Sequence, residues 1–75
     1  MKMAPVKSSN VEEVGYDPEA RILAVKFKSG GVYHYSDVPP NLFEEMNKAD
    51  SIGSFIARRV RVEFAGERQE EKDGE

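Results

Sequence analysis

Two alternating apolar runs, separated by a glycine turn and ended by a proline pair, constrain the fold of this chain most. They lie in the stretch RILAVKFKSGGVYHYSDVPP, from Arg21 to Pro40. Alternation of apolar and other residues predicts strands with one buried face, and the Ser-Gly-Gly between them indicates a hairpin turn. Two consecutive prolines end a strand and are tolerated in the first turn of a helix. The sequence therefore predicts a β-hairpin followed by a helix.

The length of the hairpin loop decides which way two tyrosines point, because a register shift of one residue moves every side chain to the other face. A two-residue loop at Ser29 and Gly30 would place Tyr33 and Tyr35 on the lysine-bearing face. A three-residue loop over 28–30, closed by a left-handed glycine, reverses this. We favour the second register. It pairs Val25 with Tyr33 and Leu23 with Tyr35, and it leaves Lys26 and His34 on the opposite face.

The rest of the chain completes an α+β fold. Val14 and Tyr16 lie two residues apart and predict a strand before the hairpin. The segment NLFEEMNKAD and the segment IGSFIARRV each have one apolar stripe and predict two helices, the second capped by Asp50 or Ser51. VRVEF alternates and predicts a short extended C-terminal segment. We expect a three-stranded antiparallel β-meander followed by two helices packed on one face.

A chain of 75 residues is long enough for one small domain. We expect a flexible lead-in over residues 1–7, a domain over 8–66 and a disordered acidic tail over 67–75, which carries the whole net charge of −3. The chain has no cysteine and no apolar run of signal-peptide or membrane-span length. We therefore expect a cytoplasmic protein with no disulfide and no contact with a membrane.

The side chains best suited to chemistry do not converge. His34 and Ser36 share one face of a strand, while Asp37 points away, so the three do not assemble a nucleophile with its base. A single histidine without cysteine is a poor basis for a metal site. We expect no enzymatic activity, no metal and no cofactor.

Aromatic and basic residues provide the candidate binding groups. Tyr33 and Tyr35 have two interpretations, since paired aromatics either fill a small core or stack on the bases of single-stranded nucleic acid; the favoured register indicates the core. A basic cluster lies late in the second helix. The tentative nucleic-acid-binding residues are Arg58, Arg59, Arg61, Lys26 and Lys28. On a helical wheel, Arg58 and Arg61 lie away from the apolar stripe and Arg59 falls within it.

Three segments of the chain resemble the KTSC domain, a small family named for the C-terminus of some lysyl-tRNA synthetases and also found as free-standing proteins. They are S-x-x-V-x-x-V-G-Y-D (Ser8 to Asp17), L-A-V-K-F-K-S-G-G-V-Y-H-Y-S-D-V-P (Leu23 to Pro39) and A-D-S-I-G-S-F-I (Ala49 to Ile56). The family's motif then corresponds to Tyr33, Tyr35, Ser51 and Gly53, to which we assign structural roles. The resemblance implies a domain whose biochemical function is not established, and the attachment to a synthetase favours the binding of RNA or another nucleic acid. We expect a non-enzymatic domain, because the residues form no catalytic constellation. The alternative is a protein-interaction module that uses an apolar patch or a sheet edge.

Overall fold

A computed structural model describes residues 2–69, which form one antiparallel sheet of five strands in chain order. The strands are β1 (Ala4–Pro5), β2 (Val11–Asp17), β3 (Ile22–Phe27), β4 (Val32–Tyr35) and β5 (Gly66–Gln69). Between β4 and β5 lie α1 (Pro40–Lys48) and a continuous helical stretch, 52–63. That stretch consists of α2 (Ile52–Phe55), a π-helical turn (Ile56–Val60) and α3 (Arg61–Glu63). The α+β class is confirmed.

The hairpin between β3 and β4 has the predicted three-residue loop. The Phe27 N–H donates to the Gly31 carbonyl, and the Gly30 N–H donates to the Phe27 carbonyl, both at 2.9 Å. Gly30 has a φ of 109°, which a side chain would strain. Val25 therefore lies opposite Tyr33 and Leu23 opposite Tyr35, as the favoured register requires.

The predicted number of strands was wrong, because the sheet has a further strand at each edge. β1 is two residues long, and β5 reads Gly-Glu-Arg-Gln, so neither shows an alternating apolar pattern. β5 forms because its backbone pairs with β4. Residues 67–69, expected to belong to a disordered tail, lie in this strand, and the remainder of the predicted tail, 70–75, lies outside the described residues. The segment 60–64, expected to be extended, is helical as far as Glu63.

The core lies between one face of the sheet and the helices. Its fully buried large side chains are Leu23, Met46, Ile56, Val11, Val25, Val38 and Val60. At one end, the Tyr16 ring stacks on Phe43 with centroids 4.8 Å apart, and the Tyr16 hydroxyl donates to the Val38 carbonyl. This contact fastens α1 to the sheet.

The second helical stretch begins where the sequence predicted. The Ser51 hydroxyl accepts from the Ser54 N–H at 3.2 Å, so Ser51 is the N-cap. Gly53 is buried, and a Cβ there would overlap the Asn10 side chain. This geometry gives both Ser51 and Gly53 a structural role at the start of the helix. Within residues 2–69, no helix has the length and apolar character that crossing a membrane requires.

Candidate nucleic-acid interface

A cavity of about 260 Å³ opens on the helix-facing side of the sheet, beside the β3–β4 turn. We call it the tyrosine cleft. It is lined by Phe27, Ser29, Tyr33, Tyr35 and Arg61. Every polar side chain in this lining can donate a hydrogen bond, and none is a carboxylate. The cleft therefore suits an anionic or hydrogen-bond-accepting group.

The three aromatic rings of the cleft form a continuous surface. Phe27 and Tyr33 meet edge to face with centroids 5.8 Å apart, and the Tyr33 and Tyr35 rings lie 6.5 Å apart at 23°. Tyr35 is only 4% exposed, whereas Tyr33 is half-buried. Tyr35 thus belongs to the core, and Tyr33 presents a ring to the cleft. The predicted core role fits Tyr35 more fully than Tyr33.

Burial and a nearby arginine act in opposite directions on the Tyr35 phenol. Burial raises the pKa of Tyr35 above the ordinary value of 10.0, the Arg61 guanidinium lowers it, and the Tyr33 phenol raises it. Tyr35 is therefore neutral at physiological pH, and its hydroxyl is a donor. Arg61 and Tyr35 line the same cavity, and the guanidinium there offsets part of the effect of burial.

The π-helical turn points Arg61 toward the tyrosines. The Arg61 N–H donates to the Ile56 carbonyl, five residues back. In an unbroken α-helix a residue five positions after Ile56 would lie about 140° around the axis, which is where the helical wheel placed Arg61, away from the core. The wider turn brings Arg61 back over Ile56. The conflict at Arg59, a charged residue within the apolar stripe, was the one sequence signal of this irregularity.

A second arginine, Arg68 of β5, lies close to the cleft without being part of its lining. Arg68 lies opposite Tyr33 in the β4–β5 pair, so both side chains are on the same face of the sheet. Its Nε would lie 4.0 Å from a Cβ placed on Gly31, next to the Tyr33 ring. Sequence reasoning missed Arg68 because it fell in the expected tail.

The other predicted basic residues lie elsewhere. Arg58 and Arg59 line a separate cavity of about 410 Å³ at the start of the second helical stretch. Lys26 lies on the outer face of the sheet, between Glu13 and Val32. Lys28 is exposed in the hairpin turn but does not line the cleft. The structure therefore does not gather the five basic residues into one patch.

Arg59 is held by its neighbours. Its guanidinium lies 5.3 Å from the centroid of the Phe55 ring, and it pairs with Glu45 at 3.5 Å and with Glu63 at 3.2 Å. These contacts join the two helical segments and occupy the arginine. Arg61 and Arg68, by contrast, form no ion pair with another residue of the described range 2–69.

His34 lies on the outer face of the sheet, where its strand neighbours are Ala24 and Glu67. It is half-buried. Among residues 2–69, no group of three or more histidine, aspartate or glutamate side chains could hold a metal ion.

The sequence and the fold of this chain are similar to those of known proteins. A family model described as the KTSC domain matches residues 7–64. A protein from Tsukamurella paurometabola is 44% identical over 62 residues, which are 83% of this chain and 92% of that protein. A lysine–tRNA ligase from Nostoc punctiforme is 29% identical over 58 residues, 77% of this chain but 10% of the ligase. The crystal structure of a KTSC domain protein from Yersinia pestis superposes with a TM-score of 0.88 at 30% identity, covering 92% of this chain and 97% of that one.

Proposed function

This chain belongs to the KTSC domain family, and we propose that it is a non-enzymatic domain that binds single-stranded RNA at the tyrosine cleft. One observation carries the proposal: Arg61 lies beside two tyrosines in an open cleft that is lined by hydrogen-bond donors. Single-stranded nucleic acid is bound by this combination, since bases stack on aromatic rings and phosphates contact arginines. Lysine–tRNA ligases that contain a similar segment act on tRNA, as their name says, which favours RNA as the partner.

The size of the cleft indicates how much of the RNA it holds. About 260 Å³ is below the range of roughly 300–1,000 Å³ that is typical of pockets enclosing a drug-sized ligand. The cleft therefore suits one unit of a polymer, with a base against Tyr33 and a phosphate near Arg61. Arg68, opposite Tyr33 in the β4–β5 pair, extends the binding surface beyond the cleft toward a neighbouring phosphate.

A protein partner is the second candidate, favoured by an apolar groove at the other edge of the sheet. This groove, of about 510 Å³, lies between β1, β2 and α1. Apolar side chains of Pro5, Val6, Tyr16, Pro18 and Phe43 contribute to its lining. Proteins capture extended peptides by pairing them with an exposed sheet edge, while neighbouring pockets hold the peptide's side chains. RNA remains the leading proposal because the tyrosine cleft combines charge, donors and an available aromatic ring.

The test compares two arginines of one helical stretch that carry the same charge but line different cavities. We expect Arg61→Gln to weaken binding of a short single-stranded RNA about tenfold, because it removes a phosphate contact. Arg58→Gln, the matched control, leaves the affinity within twofold. Tyr33→Ala weakens binding by about 1–3 kcal/mol through the lost stacking. Fluorescence anisotropy at low salt measures all three, and equal effects of the two arginine variants would exclude the cleft as the site.

A further inference from the structure

We propose that the tyrosine cleft also accepts an acidic peptide segment, and that its occupant in the free protein is residues 70–75 of this same chain. The proposal rests on the proposed function in one respect, since both assign an anion to the arginines of the cleft. It differs in the partner, which here is a carboxylate-rich peptide rather than RNA.

The first observation is the distribution of charge along the chain. The net charge of −3 is carried entirely by residues 70–75, where Glu70, Glu71, Asp73 and Glu75 outnumber Lys72. The chain up to Gln69 is electrically balanced. The acidic segment has no apolar side chain that could join the core. A binding site can therefore recognise it only through its charge and its hydrogen-bonding groups.

The second observation is where the described chain ends. β5 runs antiparallel to β4, so Gln69 lies opposite Val32, at the end of the sheet that carries the β3–β4 turn. The tyrosine cleft opens at this same end, with Ser29 of the turn in its lining. Six extended residues span up to about 20 Å, while the radius of gyration is 11.7 Å. Residues 70–75 can therefore reach the cleft from Gln69.

The third observation is charge complementarity. The cleft lining contains Arg61 and no carboxylate, and Arg68 stands beside Tyr33. Neither arginine is ion-paired within residues 2–69, whereas Arg59 has two acidic partners there. A carboxylate accepts two hydrogen bonds from one guanidinium and a further one from a phenol. The groups that suit a phosphate in this cleft thus also suit a glutamate side chain.

Residues 70–75 are covalently attached next to the cleft, so even a weak contact between the two forms to a measurable extent. A segment tethered next to its site acts at an effective concentration in the millimolar range, so even a contact of millimolar affinity is partly formed. RNA must displace it, which lowers the apparent affinity. Both contacts are ionic and are weakened by salt.

The experiment compares the full chain with two variants that lack the acidic charges. One ends at Gln69 and keeps β5; the other keeps the full length but carries Glu70→Gln, Glu71→Gln, Asp73→Asn and Glu75→Gln. Two readouts are needed: the affinity for a short single-stranded RNA by anisotropy, and the NMR resonances of the Tyr33 and Tyr35 rings without RNA. We expect both variants to bind RNA about fivefold tighter at low salt. We also expect the resonances of both tyrosine rings to shift in these two variants. Lys72→Gln makes the segment more acidic and should therefore weaken RNA binding slightly.

The two readouts separate the possible failures. Tighter RNA binding with unchanged tyrosine resonances would mean that the acids act by long-range repulsion, which overturns the docking proposal. Unchanged affinity together with unchanged resonances also overturns it, while RNA binding itself would stand. If no protein binds RNA but the resonances move in both charge-deficient variants, the acidic segment docks and the proposed function is the part that fails.

Discussion

At the scale of single residues, Tyr33 and Tyr35 differ although they share one face of β4. Tyr35 is 4% exposed and its ring lies over Gly66, whereas Tyr33 is half-buried and borders the cleft. We expect Tyr35→Ala to destabilise the fold by about 3–5 kcal/mol, as truncation of a buried aromatic does. We expect Tyr33→Ala to cost about 1–3 kcal/mol, because less of its area is buried. His34→Ala, on the outer face, stays within about 0.5 kcal/mol. Urea denaturation measures all three, and an equal loss for both tyrosines would contradict the assigned roles.

Also at this scale, Arg61 partly offsets the effect of burial on the pKa of Tyr35. Burial raises the pKa of Tyr35 above 10.0 and Arg61 opposes this, so Arg61→Ala moves the pKa further up, while Arg58→Ala leaves it in place. The folded state holds this proton more tightly than the unfolded chain. Its stabilising contribution is therefore complete below about pH 10 and is lost as the pH rises through the pKa of the folded state. NMR titration of the Tyr35 ring at low ionic strength measures the shift, and a downward shift in Arg61→Ala would contradict the arrangement.

At the scale of elements, sequence reasoning succeeded where a pattern is local and failed where it depends on the tertiary structure. The hairpin register followed from Gly30 and from alternation across a loop of fixed length. β5 has only polar residues after Gly66 and forms because β4 offers it an unpaired edge. The π-helical turn is a single irregularity that no residue of Ile-Ala-Arg-Arg-Val requires. The candidate site depended on both missed features, since they position Arg61 and Arg68.

We expect β5 to contribute to the stability of the fold, because it covers one side of Tyr35. A chain that ends at Ala65 lacks β5 and uncovers one side of Tyr35, while a chain that ends at Gln69 keeps it. We expect the shorter chain to lose about 1–2 kcal/mol, a part of the contribution from burying a large side chain, and hence several degrees in Tm. The longer one should melt close to the full chain, because a partly formed contact of residues 70–75 adds at most a few tenths of a kcal/mol, roughly. Gly66→Ala gives an independent test, because its Cβ would overlap the Tyr35 ring. Thermal denaturation followed by circular dichroism measures each, and equal melting of the two truncated chains would show that β5 adds no stability.

At the scale of the whole molecule, basic residues are distributed over different surfaces although the chain up to Gln69 is balanced. Arg61 lines the cleft and Arg68 lies beside Tyr33 next to it. Lys26 is on the outer face, and Arg58 and Arg59 are at the start of the second helical stretch. A protein that binds long stretches of nucleic acid usually has a continuous basic surface. This domain instead concentrates two arginines beside aromatic rings, which suits a short contact with one or two nucleotides.

This distribution predicts a shallow dependence of RNA binding on salt. The logarithm of the binding constant falls with the logarithm of salt concentration with a slope of about −0.7 for each phosphate contacted on a single strand. Two contacts, by Arg61 and Arg68, give a slope near −1.4, and Arg61→Gln or Arg68→Gln should each reduce it to about −0.7. Lys26→Gln removes the same charge from the opposite face and should leave the slope unchanged. Anisotropy titrations between 25 and 200 mM salt, roughly the range in which such ionic contacts respond, measure the slope for each protein. A slope several times steeper, or one that Lys26→Gln also reduces, would mean that RNA contacts the protein over a wider surface than the tyrosine cleft.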